Sequence, residues 1–520
     1  MREKRATFLL FLIVLSFLII LIKLSSLQIL KEDYYRALSF GLSIPISQQE
    51  PKRGEIFFRG GEPLAVNKFY NYLVILSQKI EEKENLAEKL EQILKIPKED
   101  IIKDLQEKEI LFLEFEADEE KINEIKKLLK GVWIEEGVKR YYPQKELAAN
   151  VVGFLGGEGK GQYGLEEFYD QSLAKGKNLN LTLDYEIQFE AEKILKEAQE
   201  KLEFERGGIL VLNPENGEIL AMAVYPTFDP NKYKEYSENL EIFKNPFTQK
   251  IYEPGSAFKP ITMAIGLEEG KITPETTYQD PGEIKINGWI IRNYEKRKYP
   301  GKITMTEVLE KSINTGAVFV EQQIENFIFL DYLKKFGIFE KTKIDLPEIV
   351  FSNQEIKKGK EINFATASFG QGIAITPLQL AKIYCALANG GELVIPHLNK
   401  DFKDFEKKRV LSKETTIKLT KMLISVVENG FAKKAKVPGY FIGGKTGTSL
   451  QPKVGQRGYS EKTWQSFVGF FPALNPKFLI LINLDNPKTK TAEYSAVPLF
   501  KKIAEYIIRI KQIPPDYENF

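Results

Sequence analysis

The chain has a single cysteine and a single histidine in 520 residues. One cysteine excludes an intrachain disulfide. Cys385 sits in the apolar run AKIYCALAN and reads as a buried structural thiol. One histidine excludes sites built from several imidazoles, and any Ser-His-Asp triad would have to use His397. His397 follows a Gly-Gly turn in GGELVIPHLNK and reads as structural. An excess of one charge is also missing: 74 basic residues stand against 72 acidic, net +2. Without a basic stripe there is no footprint for nucleic acid, and the interleaved charges read as solvated helix faces. Internal repeats are absent, and so is low complexity beyond a Lys/Glu bias. No metal site and no cofactor are expected. The length exceeds one ordinary domain.

One long apolar run is present. Residues 6–22, ATFLLFLIVLSFLIILI, carry no charge, follow MREKR and are at the short end of what spans a bilayer. Lys23 and LSSLQIL come next, without an Ala-x-Ala-like cleavage site, so a retained anchor is expected over residues 1–30. The basic leader places the N-terminus in the cytoplasm and the remaining mass outside the plasma membrane, single-pass.

Residues 31–185 read as a mixed, mostly extended module. YNYLVIL alternates as a strand, while Leu86, Leu90, Ile93 and Leu94 share a helical face that ends before Pro97. A short helix is expected through Ile101, Ile102 and Leu105. From 186 the texture changes. EIQFEAEKILKEAQEKL reads as a helix, and ILVL and ILAMAV flank NPENGE as a hairpin. GYFIGGKTGTSL, TWQSFVGFFPAL and KFLILINLD read as three further strands, and AEYSAVPLFKKIAEYIIRI as an amphipathic helix. The expected fold class is α+β: an antiparallel sheet flanked by helices over 186–512, with a tail at 513–520.

Three short motifs carry chemistry. YEPGSAFKP places Lys259 three residues after Ser256, on one face of an expected helix start. The pair could be a nucleophile with its base or a capped helix with a solvated lysine. KSINTG places Ser312 and Asn314 two apart, in an expected break between helices, and GGKTGTS places Lys445 on a strand among small residues. Singly these are weak. In this order they form the signature of serine acyl-enzymes that bind penicillin.

The chain resembles the class B penicillin-binding proteins, monofunctional D,D-transpeptidases that cross-link peptidoglycan. LQILKEDYYRAL, PKRGEIFFRGGEPLAVN, YPQKELAANVVGFLG, YGLEEFYD, LTLDYEIQ, NPENGEILAMAVYPTFDPN and ASFGQGIAITPLQLAKIYCALANGG follow in the family's order. The resemblance implies a non-catalytic pedestal followed by a serine β-lactamase-like transpeptidase domain. It also implies D-Ala-D-Ala stem peptides as substrates, inhibition by β-lactams, and a SEDS-type membrane glycan polymerase as partner. The sequence departs from the family at Phe58 and Gly60, where Asp and Asn are usual, and at Asn213, where Asp is usual. Asn213 and Asp184 read as turn or cap residues.

A serine hydroxyl needs a base. With no histidine to spare, Lys259 is the candidate, and it must be neutral, through desolvation or a second cation such as Lys445. The resemblance assigns the oxyanion donors to the Ser256 and Thr448 amides. It also implies that Ser312 passes the proton to the leaving D-alanine and that Asn314 holds the donor amide. Thr446, Thr448 and Lys445 would grip the terminal carboxylate, and Gly447 would let the strand edge approach the substrate. The alternatives are a D,D-carboxypeptidase or β-lactamase, a penicillin-sensing receptor, and a scaffold that activates a polymerase.

Overall fold

The computed structural model describes residues 2–25, 52–116, 119–127, 132–403, 407–453, 455 and 458–517, with side chains from residue 12 onward. LQILKEDYYRAL and the start of the 31–185 range lie outside the described residues. Arg2–Ser25 is a helix whose described large apolar side chains, Leu12 to Leu24, are exposed. Among the described residues no helix is long and apolar enough to cross a membrane.

Two compact units are present, one holding 67–141 and the other holding 53–66 with 142–520. In the first, the strand Pro63–Leu76 pairs antiparallel with Ile110–Glu116, from Tyr70 opposite Glu116 to Leu76 opposite Ile110. Val132–Tyr141 pairs with the same strand. Lys83–Leu94 and Lys98–Glu107 are helices where the periodicity predicts them, and Glu119–Ile125 is a further one. Leu73, Ile75, Leu86, Leu90, Ile101 and Leu105 form its core, alternate strand residues meeting helix positions four apart.

In the second unit Ile56–Phe57 pairs antiparallel with the stretch around Ala65 and parallel with Leu179–Asn180. Phe58, one of the departures from the family pattern, is buried edge-on against Tyr185 at 5.3 Å, where an aspartate would lack that packing. The catalytic frame follows in chain order. Helix α1 (Tyr185–Leu202) precedes the hairpin β1 (Arg206–Leu212) and β2 (Ile219–Tyr225). Helices α2 (Lys259–Glu268), α3 (Met305–Glu310), α4 (Asn314–Gln322), α5 (Pro377–Ala388) and α6 (Lys413–Glu428) come next. Strands β3 (Gly443–Pro452), β4 (Tyr459–Phe471) and β5 (Phe478–Asp485) and helix α7 (Ala496–Ile510) end the frame.

The sheet order is β3-β4-β5-β1-β2, antiparallel throughout. Strand β5 joins the two ends of the sequence, with Leu481 opposite Leu210 and opposite Val468. Residues 479–485 of β5 are all buried, so both sheet faces are covered by helices. Asp184 caps α1 by accepting from the Ile187 N–H, and Asn213 closes the hairpin turn by accepting from the Glu215 N–H. Cys385 is a buried free thiol, and His397 is buried with Nδ1 2.9 Å from the Ile395 carbonyl.

On α4, Glu321 is buried, and its Oε2 has no hydrogen-bond partner among the described residues. Burial, and then the charge of Glu361, push its carboxyl up to about 8. Below the ordinary glutamate range both folded and unfolded states hold the proton. Between there and pH 8 only the unfolded chain ionises, so stability falls as pH rises through that window. Glu321→Gln, which cannot ionise, is expected to match the wild type near pH ~4 and exceed it near pH ~8 by on the order of 2 kcal/mol in urea melts.

Candidate active site

The spacing predicts an α-helix starting at Ser256, but none starts there. Gly255–Phe258 is a 3₁₀ turn closed by the Lys259 N–H donating to the Ser256 carbonyl, and α2 starts at Lys259. The tighter turn follows from crowding. Gly255 has φ +54°, its N–H donates to the Gly370 carbonyl, and a Cβ there would meet the Thr448 carbonyl oxygen at 2.9 Å. In a 3₁₀ turn side chains three apart eclipse, whereas in an α-helix they are offset. Ser256 and Lys259 are therefore brought face to face, with Lys259 Nζ 3.0 Å from Ser256 Oγ. Tyr384 on α5 donates its hydroxyl to the Ala257 carbonyl and holds the turn down. Pro260, in the first turn of α2, removes no helical hydrogen bond.

Ser312 lies in the break between α3 and α4, with φ +53°. That left-handed conformation costs a non-glycine residue about 1–3 kcal/mol. It turns both the Ser312 carbonyl and its hydroxyl toward Lys259 Nζ, at 2.6 and 3.2 Å. Lys445 on β3 completes the cluster, its Nζ 2.9 Å from Ser312 Oγ and 3.3 Å from Thr446 Oγ1. One serine hydroxyl thus lies between two lysine nitrogens.

Both lysines are buried, at 0% and 1% exposure, and neither has a carboxylate partner among the described residues. Burial first, then the charge of Lys445, holds the Lys259 ammonium well below its usual range. Burial pushes Lys445 down to about 7. The expected second cation contributes, but desolvation leads. A neutral Lys259 has two N–H groups and a lone pair. The Ser312 carbonyl can only accept, so it takes one N–H, and the lone pair can face the Ser256 hydroxyl.

Ser256, Ser312, Asn314, Thr446 and Thr448 line one cleft of about 630 Å³, above the two buried lysines. Asn314 Nδ2 donates to the Arg292 carbonyl at 2.9 Å, and Thr448 Oγ1 accepts from the Ala492 N–H at 3.3 Å. Gly447 lies against the turn that carries Ser256. A Cβ there would meet Ser466 Oγ at 2.5 Å, the Pro254 carbonyl oxygen at 2.7 Å and Ala257 Cβ at 3.1 Å. Its bare backbone lets β3 approach the turn that carries Ser256.

The sequence reading missed the far wall, which includes Tyr294, Arg297, Tyr299, Phe431 and Tyr494. Arg297 stacks over the Tyr294 and Phe431 rings at 5.7 and 5.6 Å. These residues come from separate loops without a shared motif. The only local signal was unpaired aromatics in charged stretches, as in PKTKTAEYS.

Residues 207–505 match the penicillin-binding protein transpeptidase domain, and residues 48–180 the penicillin-binding protein dimerisation domain. Stage V sporulation protein D of Bacillus subtilis is 32% identical, over 94% of this chain and 82% of that protein. The peptidoglycan D,D-transpeptidase FtsI of Buchnera aphidicola is 29% identical, over 99% and 96%. Penicillin binding protein 3 of Mycobacterium tuberculosis, solved with aztreonam, superposes with a TM-score of 0.73 at 28% identity, covering 90% of this chain and 98% of that one. The chain belongs to the class B penicillin-binding proteins. Its α+β frame is the two-domain penicillin-binding fold.

In this penicillin-binding protein the approach of β3 to the Ser256 turn is a steric requirement. Gly447→Ala is expected to force the two apart, lowering stability by about 1–3 kcal/mol. It should also slow acylation by fluorescent penicillin at least about tenfold, since small displacements of reacting groups are costly. Urea melts and labelling time courses check both.

Proposed function

We propose that the protein is a serine D,D-transpeptidase that cross-links peptidoglycan stem peptides through an acyl-enzyme on Ser256 and is inhibited by β-lactams. The carrying observation is Lys259 Nζ, buried, without a carboxylate partner, 3.0 Å from Ser256 Oγ. Neutral Lys259 takes the hydroxyl proton as Ser256 Oγ attacks the carbonyl of the penultimate D-alanine. The backbone amides of Ser256 and Thr448 receive the developing oxyanion. Ser312, in contact with both lysines, relays a proton to the departing amine, and D-alanine leaves. An acceptor amine then attacks the ester, its proton returns through the same groups, and Ser256 is released with a new amide bond formed. Asn314 holds the donor amide, while Lys445 with Thr446 and Thr448 positions the donor carboxylate. A β-lactam follows the first half of this path and stops at the ester.

Residues 1–30 are assigned as a membrane anchor with a cytoplasmic N-terminus, on the strength of the uncharged run 6–22 behind MREKR. Residues 31–185 are assigned as the pedestal and 186–512 as the transpeptidase domain. The boundary falls between the two family-matched stretches. A SEDS-type polymerase contacting anchor and pedestal would supply the glycan strands.

Labelling with a fluorescent penicillin and mass mapping tests the nucleophile. The adduct is expected on the peptide holding Ser256 and absent in Ser256→Ala. Lys259→Arg keeps the charge but cannot give up a proton, and should slow acylation by about 10²–10⁴-fold. Wild-type rates in that variant would remove lysine from the base role. Cross-linked dimer, rather than free D-alanine alone, is the expected product from stem-peptide substrates.

A further inference from the structure

Asp280, which lies between α2 and α3, is buried, at 4% exposure, and makes no ion pair among the described residues. Hydrogen bonds fill the place of a counter-ion. The Gly282 N–H donates to Oδ1 at 3.0 Å and the Tyr299 N–H to Oδ2 at 2.9 Å. Asn293 Nδ2 lies 3.0 Å from both oxygens, and the Thr315 hydroxyl donates to Oδ1 at 2.6 Å. Burial alone would raise this carboxyl, but the donors, Thr315 foremost, hold it below the ordinary aspartate range. The group is a charge held in place by its donors.

Those donors belong to both parts of the catalytic cleft. Asn293 begins the stretch whose Tyr294, Glu295, Arg297 and Tyr299 line the wall. Its Nδ2 also reaches the Arg297 carbonyl at 3.1 Å, and its Oδ1 accepts from the Thr315 N–H at 3.1 Å. Thr315 directly follows Asn314 at the start of α4. The Asn314 Nδ2 donates to the carbonyl of Arg292, the residue before Asn293. That bond fixes the Asn314 amide and leaves its second N–H and its Oδ1 for a ligand. One carboxylate therefore ties the wall, the Asn314 amide and, two residues back, the Ser312 turn into a single rigid piece.

We propose that Asp280 is a positioning residue for acyl transfer, its carboxylate clamping the 293–299 wall to the start of α4 and so aiming the Asn314 amide. The proposal rests on the reading of Ser256 as the acylated residue. Asp280 touches no reacting atom and acts through Asn293 and Thr315.

An exchange across the Asp280–Asn293 contact tests it on the full chain in detergent. Asp280→Asn removes the negative charge and leaves one accepting oxygen where two served four donors, turning an NH2 toward N–H groups. Asn293→Asp places two carboxylates together. The double exchange restores a carboxylate facing an amide across the pair. Each single variant is expected to slow fluorescent-penicillin acylation by about 10–100-fold, the scale of a small misplacement of reacting groups, and the double exchange to recover most of that loss. Rates are compared at equal intervals below each variant's Tm, so that loss of fold alone does not register. Acylation in Asp280→Asn within about twofold of wild type overturns the proposal, far short of the ~10²-fold cost of displaced groups. So does a double exchange that regains the wild-type Tm but stays as slow as the single variants. Absence of wild-type adduct on Ser256 would instead overturn the catalytic reading, and that control is read separately from the variant ratios.

Discussion

Two lysine side chains buried around one serine hydroxyl are the constraint on which the rest of the structure depends. Lys259 and Lys445 both contact Ser312 Oγ, and neither meets a carboxylate among the described residues. Burying an uncompensated ammonium is costly, and proteins avoid that cost by shifting the group to its neutral form. In the proposed mechanism the shift is the source of reactivity. A solvated lysine beside Ser256 would stay protonated and could not accept the hydroxyl proton. The fold supplies the dry surroundings: Lys259 on α2 and Lys445 on the edge strand β3 are both buried, while Ser256, Ser312, Thr446 and Thr448 line the cleft.

Close backbone approach makes that enclosure possible. Ser256 sits on a 3₁₀ turn because Gly255 must bend against β3, and β3 can come that near because Gly447 has no side chain. Ser312 accepts a strained left-handed turn, which directs two oxygens at one amine. Strain and crowding are thus concentrated where three chain segments meet, while residues 479–485 of the central strand β5 are all buried. The Asp280 network stiffens the opposite wall in the same manner, with hydrogen bonds in place of apolar packing.

Much of this was legible in the sequence. The five sheet strands alternate or run apolar and are set off by turn residues. Helix α1 and its neighbours carry clear apolar faces, and Ser256, Lys259, Ser312, Asn314 and Lys445 stand out once their motifs are taken together. The readings that shifted did so for tertiary reasons. A Ser-x-x-Lys spacing fits α and 3₁₀ turns alike, and contact with Thr448 and Gly370 chose the tighter one. The packing of Gly447 against the Ser256 turn is likewise visible only in the fold. Asp280, Asn293 and Thr315 are ordinary loop and helix-start residues in sequence, and only folding makes them one network.

The sequence by itself determined the class of chemistry, because three motifs in order mark the transpeptidase family and a lone histidine left lysine as the candidate base. It also determined the strands and helices, since periodicity is local. Tertiary structure alone decided that Lys259 is dry and without a counter-ion, that Ser312 lies between two amines, and how the cleft wall is tied to Asn314. Desolvation and distance depend on segments far apart along the chain, as where Ser449 meets Glu253 across 196 positions. No local pattern records them.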